Sequence, residues 1–315
     1  MIRLWLPALL CMAAIRYIVT SPLPGSTNLT LPSRIDQIEY PDFTAHVAVQ
    51  GKQLLDMDSC LMVTAKMLHG LSRFGFDDTV GPASYVCRPF TTVTISVRGS
   101  SGARDIPVRF AIWGAHLIGR WLAQYRVSSN TVFALVDSRS VIGYIEFART
   151  ALELSPSRSS NATQDQTHTP DTLWNAQLEA AAATYSSGDV TLVSPLDDHQ
   201  QRSIGFREFS TQAFTKFELF ANIYLQLAYI GAFPPRERIQ DAWKLSSSLV
   251  PGSETVFGPA APQSVVEYRD AADVFLTTAF RVIQRRVVHG VAIRVKYGER
   301  FVGKGLIWYP PRSVS

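Results

Sequence analysis

The strongest constraint on how this chain folds is a phrase that it repeats. Residues 296–309, KYGERFVGKGLIWY, read as a polar turn followed by an apolar strand with glycine inside it. Residues 136–147, VDSRSVIGYIEF, read the same way. Sliding the later hairpin back by 160 positions sets Gly303 on Gly143, Val302 on Ile142, Ile293 on Phe133 and Val295 on Leu135, without a gap. Glycine inside a strand is unfavourable unless a bulge or a close neighbour requires it, so the matched glycine says more than the matched valines. A repeat of this kind predicts two units that run through the same elements in the same order.

Both halves can be read in that order. In the first, FTAHVAV predicts a strand, and MDSCLMVTAKMLHGLSRF a helix with Asp58 as its cap. TTVTISV alternates, with Val93, Ile95 and Val97 on one face. IPVRFAIWGAHLIGRWLAQYRV predicts a second helix, and TVFALVDSRSVIGYIEF a hairpin. In the second half DVTLV predicts the opening strand. FREFSTQAFTKFELFANIYLQLAYI predicts a deeply packed helix, because Phe206, Phe209, Ala213, Phe217, Phe220, Tyr224 and Leu227 recur at three- and four-residue steps. Val265, Tyr268, Ala272, Phe275, Ala279 and Val282 form the apolar face of a further helix before the closing hairpin. The counterpart of TTVTISV is hard to find, and ETVFG is a poor substitute.

The fold expected is therefore α+β: two similar units, each a small antiparallel sheet packed against two helices. The units are expected over residues 40–148 and 189–310. Between them, residues 149–188 are dominated by Ser, Thr, Asn, Gln and Pro and predict an exposed linker, with a short helix in LWNAQLEAAAATY.

The first 21 residues predict a secretory signal: Arg3 ahead of an apolar run from Leu4 to Ala14, then small residues. Arg16 interrupts the longer run that a membrane anchor would need, so no stable insertion is expected after cleavage. With Arg3 and Arg16 set aside, 28 of the 30 basic side chains face 26 acidic ones. That balance gives no reason to expect nucleic acid as a partner.

Of the three cysteines, Cys11 falls in the signal. Cys60 and Cys87 remain as an even pair for an oxidising compartment, and a disulfide between them is expected. With no CxxC and no nearby histidine cluster, a metal site is disfavoured. The sequons at Asn28 and Asn161 fall in Ser/Thr/Pro-rich stretches and are the expected glycosylation sites.

No nucleophile elbow, zinc-protease helix, phosphate loop or dinucleotide fingerprint occurs, so no catalytic residue and no cofactor is expected. GSSG at residues 99–102 reads as a turn. His116 shares a helix face with Arg109, Arg120 and Gln124, which predicts exposure to water, and His289 is expected at a helix end. Asp197, Asp198 and His199 read as a solvated loop rather than a metal site. Glu267, Asp270 and Asp273 at the start of a helix, with Arg281, Arg285 and Arg286 at its end, fit the helix dipole. Glu146 and Asp137 share a hairpin without forming a recognisable acid–base pair.

This layout of signal, repeated α+β unit and Ser/Thr-rich joint resembles uncharacterised secreted proteins of filamentous fungi. The resemblance implies secretion and carries no site residues. The function expected is that of a secreted, glycosylated binding protein, effector-like, contacting an extracellular protein or a carbohydrate. The alternative is a secreted hydrolase with its active site in a cleft between the units.

Overall fold

The computed structural model describes residues 42–100, 105–126, 129–150, 190–193, 201–285 and 287–309. The protein is mixed α+β and mostly antiparallel sheet, with four helices among the described residues. In chain order the elements are β1 (Phe43–Leu54), α1 (Met57–Leu71), β2 (Thr79–Val80), β3 (Ala83–Cys87), β4 (Phe90–Gly99), β5 (Ile106–Pro107), α2 (Val108–Tyr125), β6 (Ser129–Asp137) and β7 (Ser140–Arg149). They continue with β8 (Val190–Val193), β9 (Gln201–Thr215), α3 (Lys216–Ile230), β10 (Trp243–Leu245), β11 (Glu254–Pro259), α4 (Tyr268–Ile283), β12 (Val287–Tyr297) and β13 (Arg300–Trp308).

The strands form a five-stranded sheet in the order β1-β6-β7-β4-β3, a six-stranded sheet in the order β10-β11-β13-β12-β9-β8 and a two-stranded sheet of β2 and β5. Rungs of the first sheet recur in the second 160 residues later. Gly99 pairs with Gly143 as Pro259 pairs with Gly303, and Ala83 with Val97 as Trp243 with Phe257. The β6–β7 register shift at Leu135/Val136 recurs in β12–β13 at Val295/Lys296. The rung Thr79–Pro107 of β2–β5 has a nearly matching bridge, Arg238–Glu267. ETVFG is thus a genuine strand, β11, in the sheet position that TTVTISV occupies in β4.

The helices lie between the sheets. On α2, a side chain at Gly114 would collide with Leu135 of β6, whereas one at Gly119 would collide with Tyr224 of α3. Absence of both side chains lets α2 touch a sheet on one side and a helix of the other half on the other. On α4, Phe275 packs on Phe257 of β11, and Asp273 reaches His69 of α1. Tyr224 of α3 donates to the Leu61 carbonyl of α1 at 2.9 Å. The layers therefore run sheet, α1 and α2, α3 and α4, sheet. Among the described residues no helix is long and apolar enough to cross a membrane.

Several local expectations need correction. α1 is capped by Asp56, whose carboxylate accepts from the Ser59 amide, and not by Asp58. Residues 206–215, expected to be helical, belong to β9; the helix begins only after Thr215, whose hydroxyl and Glu218 make a reciprocal capping box. DVTLV does form the opening strand of the second half, β8, which pairs along the edge of β9. Val265 lies ahead of α4 and is exposed. His289 sits in β12, since the helix ends at Ile283.

Candidate functional site

The largest concentration of buried charge joins the two halves through α1, α4 and β9. His69, Arg202, Asp270 and Asp273 are each only 2% exposed. A β-strand alternates its side chains, and Arg202 falls on the inward face of β9 opposite Tyr297 of β12. Asp270 and Asp273 are one turn apart on α4, so both carboxylates face the same strand. Arg202 spans them: Nη2 forms an ion pair with Asp270 Oδ1 at 2.5 Å, and Nη1 donates to Asp273 Oδ2 at 2.6 Å. Its guanidinium also lies 5.3 Å from the centre of the Tyr297 ring.

Asp273 accepts two further bonds from the first half. His69 Nε2 lies 2.7 Å from Oδ1, and Arg73 Nη2 donates to the same oxygen at 2.9 Å. Asp270 Oδ2 accepts from the Glu267 amide at 2.9 Å, which closes the first turn of α4. Two carboxylates and two guanidiniums balance, provided that His69 is neutral.

The titration behaviour follows from that balance. Burial lowers His69 to about 4; the hydrogen bond to Asp273 opposes this, and Arg73 and Lys66 reinforce it. For Asp273 burial alone would raise the carboxyl, but the bond from His69 and the charges of Arg73 and Arg202 outweigh it and hold the group well below the usual carboxylate range. Arg202 is desolvated, yet Asp270 and Asp273 keep it firmly protonated. Tyr297 is pushed up, by burial first and by Asp270 second. A permanently ionised carboxylate that accepts from three side chains is a strut; a general acid or base needs a proton that moves near neutral pH.

The corresponding place in the first half is apolar. Phe110 and Trp113 are the third and sixth residues of α2, as Asp270 and Asp273 are of α4. Phe43 opens the β1–β6 ladder opposite Asp137, as Arg202 stands opposite Tyr297. Phe43 stacks on Phe110 at 5.6 Å and meets Trp113 edge-on at 5.4 Å. An aromatic trio thus stands on α2 and β1 where an ionic trio stands on α4 and β9.

Of the residues singled out in the sequence, Asp270 and Asp273 are core groups bonded to Arg202, not solvated charges that merely suit the dipole. His116 is buried at 5% exposure, with its Nδ1 enclosed, rather than in water; burial and the Arg120 charge lower it to about 3. Arg281 lies over the Phe206 ring at 5.0 Å, and Arg285 pairs with Glu208. Cys60 and Cys87 are buried as thiols, with no disulfide joining them. Cys87 Sγ is directed at the neighbouring Arg88 carbonyl, 3.8 Å away. The junction expected to hold a cleft is occupied by packed helices. Glu146 stands opposite Ser96 and Val132, and Asp137 at the hairpin end opposite Ser140, so they do not converge. Asn28, Asn161, His168, Asp197, Asp198, His199 and the signal lie outside the described residues. Among the described residues no group of His, Cys, Asp and Glu is arranged to hold a metal ion.

Sequence reasoning missed the cluster because Arg202 closes the polar run LDDHQQR, which reads as a solvated loop. The signal that would have found it is the 160-residue comparison itself, which sets Asp270 on Phe110 and Asp273 on Trp113. Comparison with protein families, curated proteins and solved structures found no match to this chain.

Proposed function

We propose that this chain is a secreted, glycosylated interaction protein without catalytic activity, built by internal duplication of one α+β unit. The recurrence of ladder rungs, register shift and helix positions at one offset supports the duplication. The observation that carries the functional reading is the buried ionic cluster of Arg202, Asp270 and Asp273. Among the described residues, the buried carboxylates at the junction are tied to guanidiniums of both halves, whereas a hydrolase between the units would need a pair there free to exchange protons. On this reading contacts with partners are made by the outer faces of the sheets.

Secretion, the leader and the glycans at Asn28 and Asn161 are parts of the proposal, supported by the sequence pattern alone. The test is expression of the full chain in a eukaryotic secretory host. Intact mass and N-terminal sequencing should find protein in the medium that begins after the leader, and N-glycosidase should lower its mass. Cytosolic protein with residues 1–21 intact and no glycan would overturn the reading.

A further inference from the structure

We propose that the outer face of the six-stranded sheet binds an acidic polysaccharide. On β12 the side chains of Ala292, Arg294 and Lys296 share the face turned away from the helices, because Ile293 and Val295 are buried beneath. Arg294 stands directly opposite Lys304 of β13, and Arg207 of β9 stands opposite Ala292, one diagonal step from Arg294. Arg207, Arg294 and Lys304 are exposed and Lys296 is half-buried. Directly opposed side chains in a sheet sit about 5 Å apart, and like charges there are destabilising. On the neighbouring rungs of this face the described carboxylate is Glu254, which is already held by Lys244.

The fold does not require these charges. The matching rungs of the first sheet carry Ala134 opposite Tyr144, and Val49 opposite Val132. Three positions that are uncharged in one unit have become basic in the other, at a cost in stability that a polyanion removes by neutralising them. Four cations on three adjacent strands suit a polymer with closely repeated sulfates or carboxylates lying flat on the sheet. The choice of polysaccharide over other polyanions rests on the extracellular reading above; the location of the face does not.

The test uses the full chain on immobilised heparin and polygalacturonate. Retention at low salt should be lost as salt rises, because counterions are released on binding. Lys304→Glu is expected to weaken retention about tenfold while raising the melting temperature, since it places an acid opposite Arg294. A role confined to folding would not move the two readouts in opposite directions. Arg98→Glu, on the outer face of the first sheet, should leave retention unchanged. No retention at low salt, or equal weakening by Arg98→Glu, overturns the site. Binding to phosphatidylserine vesicles or single-stranded DNA in place of both polysaccharides overturns the partner. If the protein stays cytosolic, Lys304-dependent retention still supports the face, whereas the extracellular reading and the polysaccharide fall together.

Discussion

Moving the protein from about pH 7 to about pH 5 is expected to cost about 4 kcal/mol of stability, through two histidines. Burial holds His69 at about 4 and His116 at about 3, against 6.5 for an ordinary imidazole. Both folded values are depressed, so the native state keeps both rings neutral while the unfolded chain protonates both. Stability is therefore fully present above about pH 6.5, falls steadily below it, and stops falling only near the folded values. At about pH 5 an unfolded imidazole lies roughly 1.5 units below its midpoint, which amounts to about 2 kcal/mol per ring. Asp273 does not add to this loss: its folded carboxyl is held below the ordinary 3.8, so its contribution persists until the pH falls through that value. Urea unfolding at a series of pH values measures the effect, and His69→Gln and His116→Leu should each remove about half of the slope. A flat profile, or a native imidazole at either position titrating near its ordinary value by NMR, would refute the reasoning.

Three further outcomes are expected. Arg202→Met leaves Asp270 and Asp273 buried without their shared cation and should cost about 3–5 kcal/mol in denaturant unfolding; replacing all three by the aromatic residues of the first half should recover much of that loss. Gly143→Ala should lower stability by about 1–3 kcal/mol, because its new carbon would lie 2.6 Å from Ile106 and 2.7 Å from the Arg98 carbonyl, whereas Gly303→Ala meets only side-chain atoms at 3.3 Å or more and should be far milder in the same assay. Cys60 and Cys87 should resist a thiol reagent in the native protein and both react in denaturant; a peptide map showing them cross-linked would overturn the structural picture.

The parts of the fold legible in the sequence were those set by short-range periodicity. The hairpins β6–β7 and β12–β13 and the helix α2 fall where alternation and apolar spacing put them. β9 was misread because the β9–β12 register shifts between Phe209 and Ala213. That irregularity breaks the two-residue period and leaves aromatic residues at helix-like spacing. The true boundary was visible: Thr215 with Glu218 three residues later is a helix-start signature. The ionic cluster was not legible by local rules, since Arg202 is far from Asp273 in the chain and meets it only through β9 pairing. His116 was misplaced for a related reason. Arg109 and Arg120 on the same helix marked a polar face, yet His116, one turn before Arg120 and two after Arg109, is buried in the core.

The two trios do different work. Trp113 packs on Phe43, Phe110 and Phe76, all within the first half, so the aromatic trio closes its own unit. Asp273 instead accepts from His69 and Arg73 across the junction, so the ionic trio joins one unit to the other. Dispersion between rings is tolerant of small rotations, whereas a carboxylate that receives three directed donors is not. Burying these charges contributes little net stability, because desolvation offsets most of the attraction. What the arrangement contributes is alignment: rotation of one half against the other would strand Asp273 or Arg202 in an apolar layer without a partner. Apolar helix faces alone tolerate more than one docking angle, whereas the donors to Asp273 from His69, Arg73 and Arg202 favour the one in which all three bonds are made.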